Sequence, residues 1–160
     1  MQQSNFFLRT KLLPPRAVSG LLERPRLSQL LQTNVASPVT FVAADAGYGK
    51  TTLIANFLRS QARPVVWYQL DHTDADPIAF LNYVVQGIRN IVPGFGEALS
   101  TYLSEASEEL LRFPERAADL LINEILGTIE EPFILVLDDY HHIGTETVVH
   151  KIVDRILLYS

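Results

Sequence analysis

A glycine-rich segment, Ala44–Thr51 (ADAGYGKT), sharply limits the folds open to this 160-residue chain. The segment nearly matches the pattern G-x-x-x-x-G-K-[ST] of phosphate-binding loops, with alanine in place of the first glycine. The apolar run Val39–Ala43 precedes it, and Lys50–Arg59 follows with apolar residues at helical spacing. An apolar run, a glycine turn and an amphipathic stretch together predict a strand, a loop and a helix.

The residues of this segment suit the chemistry of a P-loop. Gly47 and Gly49 permit backbone torsions and a close approach that a side chain would block, so that consecutive N–H groups can converge on phosphate oxygens. The N-terminus of the following helix favours an anion. We expect Lys50 to reach the β- and γ-phosphates of a nucleotide and the hydroxyl of Thr51 to bind Mg²⁺. The expected nucleotide-binding residues are Ala46, Gly47, Tyr48, Gly49, Lys50, Thr51 and Thr52.

A second apolar run, Phe133–Leu137 (FILVL), ends in the acidic pair Asp138 and Asp139. The run shows no polar alternation, which is typical of a strand buried on both faces of a parallel sheet. Taken alone it could end in an ordinary polar turn, but together with the phosphate loop it matches the Walker-B arrangement. Asp138 would then hold Mg²⁺ with Thr51, and Asp139 would orient or activate the attacking water. The candidate catalytic residues are Asp139 and Lys50.

The periodicity of the remaining chain predicts an α/β fold. Pro64–Leu70 is dense in β-branched and aromatic residues and predicts another strand. Amphipathic stretches alternate with the strands, as in a three-layer α/β/α domain with a mostly parallel sheet. We expect this domain to occupy residues 21–160, after a basic, proline-containing, irregular leader over residues 1–20. Predicted helices start at Pro25, Lys50, Pro77, near Gly96, at Pro114 and at Thr145.

Composition and charge exclude several classes of function. The chain has no cysteine, so disulfides, thiolate metal sites and cysteine nucleophiles are ruled out. Residues 1–30 contain five basic residues and one acidic residue, whereas residues 31–160 carry a net charge of −9, which makes a poor nucleic-acid surface. No apolar run approaches the roughly 18 residues of a membrane span, and no signal peptide is visible. We expect a cytoplasmic protein with no membrane partner and no direct DNA binding by this segment.

Other polar residues give weaker signals. His141 and His142 are adjacent and cannot share a helical face, so a metal cluster is not expected there. Asp71, Asp74 and Asp76 follow the predicted strand Pro64–Leu70, where turn and N-cap roles explain them better than ligand binding.

Two segments resemble the ATPase module of MalT-like regulators, which are large LuxR-type proteins of the STAND class of signalling NTPases. These are Ala46–Thr52 (AGYGKTT) and Leu137–His141 (LDDYH). Further similarity lies in Thr10–Leu12 with the following prolines, in Glu23–Leu27 (ERPRL) and in Trp67–Asp71 (WYQLD). The resemblance covers nearly the whole chain.

This resemblance implies a signalling switch rather than a metabolic enzyme. Such proteins bind ATP and a small-molecule inducer, self-oligomerise when ATP is bound and activate transcription, and slow hydrolysis resets them. The inducer, oligomerisation and DNA-binding regions would lie outside these 160 residues. The family's sensor strand, which lies between the P-loop strand and the Walker-B strand, would follow Ser160. We therefore expect a sheet that is incomplete at its C-terminus and leaves Val39–Ala43 without its inner neighbour.

Two other functions stay open on the sequence. A small-molecule P-loop kinase would need a lid rich in arginine, but the basic residues after the loop are scattered, and paired acids favour water activation over transfer to a hydroxyl. A non-catalytic nucleotide-binding interaction domain that has kept both motifs is the third possibility.

Overall fold

The computed structural model describes residues 7–17, 20, 22 and 24–159, and all structural statements concern these residues. Three short 3₁₀ helices lie at Arg9–Leu12, His72–Ala75 and Tyr140–Ile143. The longer elements, in chain order, are α1 (Pro25–Asn34), α2 (Lys50–Arg59), β1 (Val65–Gln69), α3 (Pro77–Arg89), α4 (Glu97–Glu105), α5 (Ser107–Arg112), α6 (Pro114–Thr128), β2 (Ile134–Asp138) and α7 (Val148–Leu158).

The two strands pair in parallel, which confirms an α/β fold with a small and incomplete parallel sheet. Val65 lies opposite Ile134 at one end of the ladder, and Gln69 lies opposite Asp138 at the other. The backbone N–H of Leu70 donates to the carbonyl of Asp138 at 2.9 Å and closes the ladder. This register brings the carboxyl ends of β1 and β2 together, where ligands of such sheets bind.

Side chains alternate between the two faces of β1 and build two separate apolar clusters. Val66 and Tyr68 face the larger cluster, which contains residues of α3, α4, α6 and α7. Trp67 points the other way and packs on Ala55 and Leu58 of α2. The strand is therefore covered by helices on both faces, as a layered α/β arrangement requires.

The predicted strand Val39–Ala43 is not formed. Its residues have no regular secondary structure, and the side chain of Phe41 is 82% exposed. A strand needs a neighbour for its N–H and C=O groups, and β1 and β2, the strands that the described residues contain, pair only with each other. The expectation that Phe133–Leu137 is buried on both faces is also wrong, because every residue of β2 is only half-buried.

The leader is more ordered than its prolines predict. Residues 1–6, 18 and 19 lie outside the described residues, but Arg9–Leu12 forms a 3₁₀ helix that packs beside β1. Lys11 and Leu12 are each only 8% exposed. The ammonium of Lys11 lies 2.8 Å from the carboxylate of Asp71 and 2.7 Å from that of Asp74. The leader is thus attached to the domain by a buried cation, a contact that no local pattern predicts.

The predicted N-cap roles of the acidic residues after β1 are confirmed. Asp71 accepts a hydrogen bond from the backbone of Thr73 and forms a reciprocal capping box with Asp74. Asp76 caps α3 by accepting from the N–H of Ala79 at 2.8 Å. The last helix begins at Val148 rather than near Thr145, because the side chain of Thr147 supplies its N-cap.

Candidate functional site

The glycine-rich loop leads directly into α2. Gly47 and Gly49 have φ angles of 83° and 74°, in the left-handed region that favours glycine. A Cβ added to Gly47 would meet no atom within 4 Å, so backbone conformation rather than crowding requires glycine there. The loop therefore adopts the glycine-dependent turn that the sequence predicts, and its helix begins at Lys50 as expected.

Lys50 and Thr51 point to different partners. The ammonium of Lys50 donates to the carbonyl oxygens of Ala44 and Asp45, at 2.5 and 3.1 Å. The hydroxyl of Thr51 donates to Oδ1 of Asp138 at 3.0 Å. Two motifs that are 87 residues apart in the sequence are joined by this one hydrogen bond.

Asp138 has the surroundings of a metal ligand. Its Oδ2 is buried and has no hydrogen-bond partner among the described residues. Burial raises the pKa of the Asp138 carboxyl above its ordinary value, the hydrogen bond from Thr51 opposes this, and the neighbouring charge of Asp139 adds to it. A buried carboxylate oxygen without a partner beside a threonine hydroxyl is a donor set that fits Mg²⁺, which prefers oxygen ligands.

Asp139 lies in the turn that follows β2. Its φ of 57° makes it the one non-glycine residue with positive φ in the described part of the chain. Its backbone N–H donates to Oδ1 of Asp138 at 3.1 Å, and Nε2 of Gln69 donates to its Oδ2 at 3.3 Å. Gln69 was not singled out from the sequence, although its place at the end of the neighbouring strand is a signal that could have found it.

A tyrosine and a histidine hold the turn after Asp139 against α7. The Tyr140 hydroxyl lies 2.8 Å from Nδ1 of His150, and Nε2 of His150 lies 2.8 Å from the carbonyl oxygen of Gly144. Because that carbonyl can only accept, Nε2 carries a proton. Burial raises the pKa of Tyr140 to about 12. Both ring nitrogens of His150 are therefore engaged in fixing the loop.

Arg24 contacts the loop from the other side. On pattern alone this residue is a solvated cation, but its guanidinium donates to the carbonyl oxygen of Tyr48 at 3.0 Å. Beside it lies a cavity of about 640 Å³ between α1 and α2, lined by Arg24, Pro25, Ser28, Gly49, Thr52 and Asn56 among others. The structure thus places Thr52, one of the expected binding residues, at a cavity that adjoins the glycine loop.

None of the helices within the described part of the chain combines the length and apolar character that crossing a membrane requires.

Comparison with known proteins finds related segments in two kinds of large protein. The chain is 34% identical over 145 residues to the HTH-type transcriptional regulator MalT of Serratia proteamaculans, a match that covers 89% of this chain and 15% of the regulator. It is 30% identical over 144 residues to MalT of Vibrio cholerae, covering 87% and 15%. It is also 28% identical over 138 residues to the serine/threonine-protein kinase PknK of Mycobacterium tuberculosis, covering 84% and 12%.

The chain therefore spans no more than 15% of the length of these curated relatives. No protein-family model matches it.

Proposed function

We propose that this MalT-like region is the Mg-ATP-binding switch module of a larger transcriptional regulator, which hydrolyses ATP slowly. The observation that carries the proposal is the hydrogen bond from Thr51 to Asp138, because it unites a phosphate-loop residue with the acidic end of a strand. Similarity to a segment of MalT regulators supports the regulatory context.

Each residue of the site has a distinct role in this proposal. The N–H groups of Ala46–Thr52 surround the phosphates, and Lys50 leaves the loop carbonyls to contact the terminal phosphates. Thr51 and Asp138 hold Mg²⁺, whose charge when bound offsets that of the phosphate oxygens. Asp139 accepts a hydrogen bond from the attacking water and orients it, while Gln69 restrains the Asp139 carboxylate.

The cavity beside Arg24 completes the proposed nucleotide site. It adjoins Gly49 and Thr52, and its volume of about 640 Å³ is within the usual range for small-ligand pockets. Arg24 offers a cation at its rim, 4.0 Å from the place where a Cβ on Gly49 would lie. We assign the base and ribose of the nucleotide to this cavity.

The relatives favour a shared module over a dedicated small-molecule kinase. A similar segment occurs in proteins named as transcriptional regulators and in a protein named as a serine/threonine kinase, so one segment serves chains with different further activities. In this proposal, the small-molecule inducer, self-oligomerisation and DNA are contacted by other parts of the larger protein. The regulator would act in the cytoplasm.

Calorimetric titration of the chain with ATP, with and without Mg²⁺, tests the proposal. We expect binding that Mg²⁺ strengthens, and we expect Asp138→Asn and Thr51→Val to remove the strengthening. Thr101→Val is the matched control, because Thr101 is an exposed residue of α4 whose hydroxyl donates to the carbonyl of Glu97 and to no other group within the described part of the chain. ATP affinity that is independent of Mg²⁺ in the parent chain would contradict the assigned metal ligands.

A further inference from the structure

Three side chains after β2 converge on one point. Asp139, His141 and His142 each offer one ligand atom, and these atoms all lie within 4.8 Å of one another. The two imidazole rings lie close together, with centroids 4.2 Å apart and an angle of 34° between their planes. Adjacency in the sequence argued against such a cluster, because neighbours on an α-helix point in different directions.

The local backbone explains why the cluster forms. Tyr140–Ile143 is a 3₁₀ turn rather than an α-helix, and Asp139 precedes it in the left-handed region. The N–H of His142 donates to the carbonyl oxygen of Asp139 at 2.9 Å and closes the turn. The three residues are therefore wrapped around a single tight turn, which brings their side chains to the same side.

The two imidazoles are free to bind a ligand. Both histidines are exposed, and neither ring has a hydrogen-bond partner among residues 7–17, 20, 22 and 24–159. His150, 10 residues beyond Tyr140, shows the contrast, since both of its nitrogens are already engaged. Free imidazoles beside a half-buried carboxylate are a typical donor set for a transition-metal ion.

We propose that Asp139, His141 and His142 form a binding site for a divalent transition-metal ion of the zinc class. Two nitrogens and one carboxylate oxygen suit Zn²⁺, whereas Mg²⁺ takes oxygen ligands, so this site differs in chemistry from the pair Thr51 and Asp138. Metal–ligand distances of about 2.0–2.2 Å require the three ligand atoms to approach one another further. Exposed histidine side chains make that movement easy, and water completes the coordination.

The proposed site shares Asp139 with the nucleotide site. If zinc occupies the carboxylate, Asp139 can no longer orient the attacking water, and ATP hydrolysis slows. This consequence rests on the proposed function, whereas zinc binding itself does not. The site would make the hydrolysis step sensitive to transition metals without removing any phosphate contact.

Spectroscopic titration of the chain without a polyhistidine tag tests the site. Co²⁺ serves as the probe, because its visible absorption reports nitrogen coordination, and Zn²⁺ is then added to displace it. We expect one strong site per chain, and at least about tenfold weaker binding in His141→Ala and in His142→Ala. The matched control is His72→Ala, which removes an exposed histidine from the turn after β1 and leaves the affinity unchanged.

Two results would overturn the proposal. One is a zinc affinity that is the same in the parent, in His141→Ala and in His142→Ala. The other is a loss of zinc affinity in His72→Ala as large as the loss in those two variants. Circular dichroism of each variant shows whether the fold is kept. We expect it to be kept, because the substituted side chains are exposed. Lys50→Ala separates the two proposals, because it should weaken Mg-ATP binding and leave zinc binding intact. Zinc binding at the pair in a chain that fails to bind Mg-ATP would refute the proposed function alone.

Discussion

The ammonium of Lys50 lies 2.5 Å from the carbonyl oxygen of Ala44, six residues earlier in its own loop. The same ammonium also donates to the carbonyl of Asp45. Both hydrogen bonds of the ammonium are therefore made within the loop, and a phosphate group would have to compete with neutral carbonyl oxygens for this cation. A charged oxygen forms the stronger hydrogen bond, so the exchange favours the anion.

Replacement of Lys50 by alanine is expected to weaken Mg-ATP binding at least tenfold, which corresponds to about 1.4 kcal/mol. The physical reason is the loss of a cation beside the terminal phosphates. Isothermal titration calorimetry measures the change, and Lys151→Ala, at an exposed position of α7, is the matched control. Equal affinity in Lys50→Ala and the parent would remove the loop from the nucleotide site.

Binding and hydrolysis are expected to separate at Asp139. Asn at this position keeps the shape of the side chain and tolerates the left-handed backbone, but it cannot act as a base toward water. Asp139→Asn should therefore bind Mg-ATP like the parent and lose turnover, which a phosphate-release assay on the larger protein would measure. Undiminished hydrolysis in this variant would exclude Asp139 from the catalytic role.

Lys11→Met is expected to destabilise the fold by about 3–5 kcal/mol, because it leaves the fully buried carboxylate of Asp74 without its cation. Urea unfolding followed by circular dichroism gives the free energy of unfolding. Arg155→Met is the control, since it breaks the more exposed ion pair with Asp119 and should change stability much less. A loss no larger than that of the control would show that the leader is not held by this cation.

The second ion pair of Lys11, with Asp71, predicts that stability depends on pH. The ammonium of Lys11, followed by the hydroxyl of Thr73, holds the pKa of the Asp71 carboxyl below its ordinary value. A depressed pKa contributes stability above the unfolded-state value of about 4, and that contribution is lost as the pH falls toward the folded-state pKa. Below pH 4, the free energy of unfolding should therefore fall less steeply with decreasing pH in Lys11→Met than in the parent.

The chain is expected to self-associate through the segment that contains Phe41. This side chain is 82% exposed in a stretch without secondary structure, and an apolar segment with unpaired backbone is a template for pairing with another copy. Phe41→Glu should lower the apparent mass in size-exclusion chromatography with light scattering. Leu126→Glu, at a position of α6 that is 74% exposed, is the control and should have little effect. A monomeric parent chain would contradict the prediction.

Helices and glycine turns could be predicted closely from local sequence. Proline at the first helical position marks the start of three helices at Pro25, Pro77 and Pro114, because its fixed φ suits a helix and it needs no partner for a missing N–H. The β-branched and aromatic residues of Pro64–Leu70 predicted a strand, and β1 matches it to within one residue at each end. These features depend on backbone preferences that act over a few residues.

The candidate site could be predicted in its motifs but not in its contacts. The sequence predicted that Thr51 and Asp138 act together on Mg²⁺. In the structure, Asp138 ends β2 opposite Gln69 and accepts a hydrogen bond from Thr51. The contact of Arg24 with the loop, the contact of Gln69 with Asp139 and the close approach of His141 and His142 were not predicted. Each of these depends on how distant segments pack or on the exact type of a turn, which residue spacing does not specify.

Local sequence determined most of the helices and the places where the glycines turn, because these follow from the torsional preferences of neighbouring residues. The short helix α5 was not predicted. Tertiary structure alone decided that Lys11 is buried. The family resemblance already implied that Val39–Ala43 lacks its inner neighbour, but only the structure shows that the segment then forms no strand at all. The pattern of Val39–Ala43 suits a strand as well as that of β2 does. A strand forms only where another backbone accepts its hydrogen bonds, and the described strands β1 and β2 pair only with each other.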